Sequence, residues 1–191
     1  MDATLTKTGT RYALGLERNL AHSPEKVWRV LTERELLKQW FPCDVAGEWK
    51  VGAELRFTFL HGEGEGLPEE DLRGEVLAVD PPRLLEFRWG THVLRCELIP
   101  EGEGCRLVFS ETFDDPSCGA RDAAGWEMCF ENLELLMQGV ALAQFVAEVW
   151  RAKFERYVGK FEPEFGPQQD MPDNHPAREE ERAALDEAGE K

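Results

Sequence analysis

Alternation of apolar and polar residues through the middle of the chain predicts a series of short strands. Across residues 44–113, apolar side chains recur at every second position, and the spacing typical of a long helix is absent. Turn sequences separate these runs, as in Asp-Pro-Pro at 80–82 and Gly-Glu-Gly at 102–104. We therefore predict consecutive antiparallel hairpins, preceded by one further strand over residues 11–20.

A different spacing predicts helices on both sides of these strands. Over residues 125–139 (GWEMCFENLELLMQG) the bulky apolar residues recur at steps of three and four, and Gly139 stands where a C-cap glycine is expected. An aromatic stripe predicts another amphipathic helix over about residues 142–158. After the first strand, Ser23-Pro24 and the stop at Pro42 bracket two short helices. The pattern predicts an α+β domain in which the sheet and the long helix bury each other's apolar faces.

The length of 191 residues fits one domain with flanking segments. We place the domain at residues 11–161, after an N-terminal extension over residues 1–10. From residue 162 to residue 191, prolines, acids and amides replace large apolar residues, which predicts an acidic, disordered tail.

Charge and cysteine usage narrow the possible partners. A net charge of −16 repels phosphate backbones, so no nucleic-acid binding is expected. No apolar run approaches the roughly 20 residues of a membrane span, and the first residues lack the pattern of a secretory signal, so we expect a cytoplasmic protein without membrane contact. The five cysteines form no CxxC pair, and no histidine stands at ligand spacing from them. We expect reduced thiols, no metal and no cofactor.

Four segments in order carry a family resemblance. Residues 19–41 (NLAHSPEKVWRVLTERELLKQWF) resemble the opening signature of the SRPBCC superfamily, in the branch related to the activator of the ninety-kilodalton heat-shock protein's ATPase. Residues 74–89 (GEVLAVDPPRLLEFRW), 105–113 (CRLVFSETF) and 125–139 agree. The resemblance implies the helix-grip, or START-like, fold. In that fold a curved antiparallel sheet of about six to seven strands wraps round a long C-terminal helix, with two short helices after the first strand.

The resemblance implies three possible functions. The first is a binding module that encloses a small hydrophobic or amphipathic ligand between sheet and helix. The second is an enzyme of cyclase or hydratase type, acting on a polyketide-like or aromatic substrate. The third is a co-chaperone-like interaction module. The sequence resembles a lone domain without the separate N-terminal domain of eukaryotic activators, so we expect no chaperone partner. The 142–158 helix either covers its own domain or forms a dimer contact, which leaves a monomer or a homodimer.

Strand parity and helix face select the candidate pocket residues. The alternative to a pocket is a plain packed core. Sequence periodicity alone does not distinguish a pocket from a packed core. His92 and Glu111 share the parity of the inward apolar residues, so they form a possible acid–base pair, unless both reach water at the strand ends. The glycine-rich loop at 61–71 is a candidate gate. The predicted pocket residues are Trp40, Phe57, Phe59, Phe87, Trp89, His92, Leu94, Phe109, Glu111, Trp126, Phe130, Leu133 and Met137.

Overall fold

An eight-stranded antiparallel sheet forms the body of the protein in a computed structural model that describes residues 2–60 and 68–171. The sheet order is β1-β2-β8-β7-β6-β5-β4-β3, so most neighbours in the sheet are also consecutive in sequence. The strands are β1 (Thr4–Thr8), β2 (Arg11–Leu20), β3 (Cys43–Ala46), β4 (Glu54–Phe59), β5 (Arg73–Asp80), β6 (Leu84–Trp89), β7 (His92–Glu101) and β8 (Gly104–Phe113).

Four helices complete the α+β fold within residues 2–60 and 68–171. Two short helices, α1 (Pro24–Thr32) and α2 (Arg34–Leu37), follow β2, and the long helix α3 (Gly119–Gln138) follows β8. The last helix is α4 (Ala147–Phe165). Short 3-10 turns lie before β5 and before α3, at Glu69–Leu72 and Pro116–Cys118. The helix-grip arrangement predicted from the sequence is confirmed.

The sheet has more strands than the six to seven expected. Residues 1–10, predicted to be an extension, contain β1, which pairs with β2 from Thr4↔Gly15 to Thr8↔Arg11. The pattern is weak there because Leu5 is the one buried side chain of β1. With a single buried position, β1 shows no apolar alternation in the sequence, and its pairing with β2 defines it.

The long helix begins six residues before the predicted start at residue 125. Its first turns bury Ala120, Ala123 and Ala124, whose small side chains give no bulky apolar signal in the sequence. At the other end the prediction holds, since Gly139 takes a left-handed conformation with φ of 70° and caps the helix.

Helix α4 is displaced towards the C-terminus relative to the prediction of 142–158. It begins at Ala147 and runs past the predicted domain boundary to Phe165, and Met171 beyond it is buried too. Its aromatic stripe is buried within the chain at Trp150, Phe154, Tyr157 and Phe161. Helix α4 therefore packs on its own domain. The oligomeric state stays a prediction.

Candidate functional site

A small cavity lies in the interior between the sheet and α3. Its volume is about 20 Å³, room for about one water molecule. The segment from α1 to β4 and strands β6 to β8 provide most of the wall. The lining residues are Leu31, Leu37, Trp40, Phe41, Val45, Trp49, Leu85, Phe87, Leu94, Cys96, Phe109 and Trp126. In this conformation the interior is mostly packed, and a small-molecule ligand would need an expanded cavity.

Five of the predicted pocket residues line this cavity, namely Trp40, Phe87, Leu94, Phe109 and Trp126. The other aromatic candidates pack beside it: Phe57 stacks on Trp89 with ring centroids 4.7 Å apart, and Phe59 lies 5.6 Å from Trp89. The remaining apolar candidates, Phe130, Leu133 and Met137, are buried on the inner face of α3 and belong to the packed core. A ligand-binding role for all of these residues stays a prediction.

The polar candidates His92 and Glu111 lie in contact inside the sheet. His92 Nδ1 and Glu111 Oε1 are 2.8 Å apart, and the indole Nε1 of Trp126 donates to Glu111 Oε2 across 2.7 Å. Glu111 is only 5% exposed, whereas the His92 side chain keeps 27% of its surface exposed. The register shift of the sheet falls on β5 between Val76 and Ala78, so the inward parity of β7 and β8 is undisturbed.

Burial and neighbouring charge act on both members of this pair. Burial raises the pKa of Glu111 above its usual value, with the Asp122 carboxylate adding to it and the contacts with His92 and Trp126 opposing it. Burial favours the neutral form of His92, but the hydrogen bond and charge of Glu111 outweigh it and raise the pKa of His92. Both shifts favour a bound proton, so the pair can donate or accept one at a position beside the apolar cavity.

The structure also places the side chains of Cys118 and Asp122 beside His92, and the sequence did not predict this group. Donor atoms of His92, Cys118 and Asp122 lie within 4.8 Å of one another. We predicted no metal site because the cysteines form no CxxC pair and no histidine stands at ligand spacing from them in the sequence. With α3 beginning at Gly119, the i, i+4 spacing of Cys118 and Asp122 becomes a helical one and is the signal that would have found them.

Two further sequence expectations concern the edges of the pocket. Arg88 and Arg95 lie on the strand parity opposite to the inward apolar residues, which predicts that they face solvent. In the structure Arg88 pairs with Glu75, and Arg95 pairs with Glu86 across 2.8 Å, both with partly exposed side chains. The predicted gate falls largely on residues 61–67, outside the described residues. Its last part is the 3-10 turn at Glu69–Leu72, where the indole Nε1 of Trp89 donates to the Asp71 carbonyl across 2.9 Å. A gating role stays a prediction.

Two structural findings bear on the other expectations from composition. None of the five cysteines, all within the described residues, forms a disulfide. Among residues 2–60 and 68–171, no helix has the length and apolar character needed to cross a membrane.

Comparison with known proteins gives a family match and many similar folds. The sequence profile described as "Activator of Hsp90 ATPase homolog 1-like protein" matches residues 21–138, more than half of the chain. No curated protein sequence matches.

Three solved structures represent the similar folds. A conserved protein of unknown function from Enterococcus faecalis, EF2215, has a TM-score of 0.65 and 23% identity, with 82% of this chain and 91% of that chain covered. CalU16 from Micromonospora echinospora has a TM-score of 0.64 and 18% identity, covering 83% and 93%. Protein MLL2253 from Mesorhizobium loti has a TM-score of 0.57 and 28% identity, covering 68% and 99%.

Proposed function

The chain belongs to the family of Activator of Hsp90 ATPase homolog 1-like proteins, and from that premise we propose that it binds a small, largely apolar ligand that carries one polar group. The ligand lies between the sheet and α3, with its apolar part against the aromatic residues of the cavity. Its polar group reaches the hydrogen-bonded group formed by His92, Glu111 and Trp126.

The observation that carries this proposal is the position of Trp126. Its ring lines the cavity, while its indole N–H donates to Glu111 across 2.7 Å. A carboxyl group that is 5% exposed costs stability in an apolar interior unless it is well hydrogen-bonded. An interior acid beside an apolar cavity therefore supports a binding role, since ligand sites combine apolar walls with a few polar groups that orient the ligand.

Expansion of the cavity requires movement of its wall, and the α2 segment is the best candidate. Half of the lining residues lie between Leu31 and Trp49, and α2 within that segment is only four residues long. Two indoles anchor the segment to α1: Trp40 donates to the Val30 carbonyl across 3.0 Å, and Trp49 donates to the Thr32 carbonyl across 2.8 Å. A short helix held by few hydrogen bonds opens at a lower free energy than the sheet does.

Native mass spectrometry on protein purified gently from its own host tests the proposal. We expect a stoichiometric bound compound, which is then released, identified and titrated back onto the purified protein. Leu94→Phe places a larger ring at the cavity and is expected to abolish binding of that compound.

Leu98→Phe is the matched control. Leu98 lies on the same strand and the same face, is equally buried, and does not line the cavity. Both variants are expected to lose about 1–3 kcal/mol of stability through overpacking, but only Leu94→Phe is expected to lose the ligand. Retention of the compound by a folded Leu94→Phe variant would contradict the proposed location.

The contact between His92 and Glu111 favours a second candidate function, acid–base catalysis on a polyketide-like or aromatic substrate. DynU16, described as a protein in the dynemicin biosynthetic locus, has a similar fold with a TM-score of 0.58 at 22% identity. If turnover of such a compound is found, Glu111→Gln is expected to lower kcat about 10²–10⁴-fold, because the amide holds the geometry but transfers no proton. An unchanged kcat in Glu111→Gln would contradict this candidate.

A further inference from the structure

We propose that His92, Cys118 and Asp122 form a binding site for one divalent transition-metal ion of the zinc type. The three residues come from three places in the fold: the first residue of β7, the end of the turn before α3, and the first turn of α3. The imidazole, thiolate and carboxylate that they offer are the three kinds of protein ligand that zinc takes. This site goes beyond the proposed ligand pocket and does not depend on it.

The distances between the donor atoms of the three residues are at most slightly longer than those in a zinc site. The donor atoms of the three residues all lie within 4.8 Å of one another. In a tetrahedral zinc site, with bonds of about 2.0–2.3 Å, neighbouring ligand atoms are about 3.3–3.8 Å apart. The donors therefore need to approach one another by at most about 1–1.5 Å to reach these separations.

The surroundings of His92 support a ligand role. Glu111 Oε1 lies 2.8 Å from Nδ1, which leaves Nε2 as the nitrogen available to a metal. Histidine ligands commonly have their second ring nitrogen hydrogen-bonded to a carboxylate, which orients the ring and raises its basicity. Here the Trp126 indole holds the other oxygen of that carboxylate, so the supporting group is itself fixed.

The two carboxylate oxygens of Asp122 differ in their contacts. Arg121 donates from Nε to Asp122 Oδ1 across 2.8 Å. The second oxygen, Oδ2, is buried and accepts no hydrogen bond from any residue in ranges 2–60 and 68–171. A buried carboxylate oxygen without a partner is costly, and a metal ion would satisfy it. The same Asp122 therefore binds the guanidinium with one oxygen and faces the proposed ion with the other.

Cys118 supplies a sulfur ligand, and a thiolate bound to Co²⁺ gives a charge-transfer band that can be measured. Its Sγ donates to the Asp115 carbonyl across 3.0 Å, and this proton is the one that metal binding would release. With a thiolate at Cys118 and the negative charge of Asp122, offset in part by the positive charge of Arg121, the site favours a divalent cation. Three protein ligands leave the fourth tetrahedral position to water or to a ligand, and the partly exposed His92 side chain gives water access.

Titration of metal-free, reduced protein with Co²⁺ alone tests the site. We expect one Co²⁺ per chain, with a thiolate-to-cobalt charge-transfer band in the near ultraviolet and visible bands of a tetrahedral ion, all removed by added Zn²⁺. Cys118→Ser is expected to abolish the charge-transfer band. Cys129→Ser is the control, because Cys129 lies on the same helix two turns beyond Asp122, and it is expected to keep the band.

Two conservative variants keep the test decisive if Cys118→Ser folds poorly. Asp122→Asn is expected to weaken Co²⁺ binding at least about tenfold while the band remains at saturation, and Glu111→Gln is expected to weaken it about 10–100-fold through His92. Absence of stoichiometric Co²⁺ binding by the wild-type protein overturns the proposal, as does a band that persists in Cys118→Ser or an unchanged affinity in Asp122→Asn. Leu94→Phe is expected to bind Co²⁺ normally, so failure of the ligand pocket and failure of this site are distinguishable.

Discussion

The indole of Trp126 and the carboxyl group of Glu111 join the long helix to the middle of the sheet through a 2.7 Å hydrogen bond. Trp126 is 6% exposed and Glu111 is 5% exposed, so water does not replace either partner easily. The pair also connects two parts of the interior, since Trp126 lines the cavity and Glu111 contacts His92. The stability of this connection is directly measurable.

Replacement of Trp126 by Phe is expected to cost more stability than the same replacement of Trp40. Both indoles are buried and both line the cavity, but Trp126 donates to a carboxyl group whereas Trp40 donates to the backbone carbonyl of Val30. Loss of the Trp126 donor leaves a buried carboxyl oxygen without that partner, at a cost of about 1–3 kcal/mol, against about 0.5–1.5 kcal/mol for an ordinary hydrogen bond to a backbone carbonyl.

Urea unfolding of the two variants beside the wild-type protein measures this difference. The slope of the free energy against urea concentration must stay constant for the comparison to hold. A Trp40→Phe variant that is as destabilised as Trp126→Phe would mean that Glu111 gains little from the indole.

The second buried carboxylate, Glu127, holds α4 on α3 and predicts an acid-sensitive contact. It accepts from Lys153 Nζ across 2.7 Å and from the Tyr157 hydroxyl across 2.5 Å, and it also pairs with Arg156. Burial alone would raise the pKa of Glu127, but the hydrogen bonds and charges of Lys153, Tyr157 and Arg156 outweigh it and lower the pKa below the usual 4.5.

Because the folded-state pKa of Glu127 is lowered, its contribution to stability is present above about pH 4.5 and is lost as the pH falls through the lowered value. Glu127→Gln is therefore expected to lose about 1–3 kcal/mol at neutral pH, and its deficit against the wild-type protein is expected to shrink on acidification. Denaturant unfolding between pH 3 and pH 7 measures the deficit.

Glu131→Gln is the control for Glu127, because it also accepts from Lys153 but its side chain is 48% exposed. Exposed ion pairs contribute about 0–1 kcal/mol, so its deficit is expected to stay within that range at every pH. A deficit of Glu127→Gln that grows on acidification would contradict the assignment.

Two glycines are expected to respond to alanine with opposite signs. A Cβ on Gly74 in β5 would lie 1.9 Å from the Arg88 carbonyl oxygen and 2.8 Å from Phe57 Cε2, so β5 and β6 would have to separate. We expect Gly74→Ala to lose about 3 kcal/mol, at the upper end of overpacking effects.

Gly125→Ala is the matched substitution on α3, where a Cβ meets nothing within 4 Å. Alanine in a helix interior is worth roughly 0.5–1 kcal/mol over glycine, so this variant is expected to be more stable than the wild-type protein. Thermal unfolding of both variants tests the pair. A stable Gly74→Ala variant would show that the β5–β6 contact is looser than the structure describes.

The sequence alone determined which faces of the elements are apolar. The spacing of Trp126, Phe130, Leu133 and Met137 defines one face of a helix, and the glycine at 139 ends it, because both signals depend on local geometry. Strand parity likewise put Glu111 on an inward face, and no bulge intervenes on β8. The helix face, the helix end and the strand parity each depend on a few consecutive residues, so the sequence alone determines them.

Properties that depend on distant residues were decided by the tertiary structure. The start of α3 at Gly119 rests on the close packing of Ala120, Ala123 and Ala124, which carry no periodic bulk, and β1 rests on its pairing with β2. The volume of the cavity depends on how twelve side chains from separate elements fill one space. The group of His92, Cys118 and Asp122 spans 30 positions of sequence, and only the packing of the α3 N-terminus beside the start of β7 brings its donor atoms together.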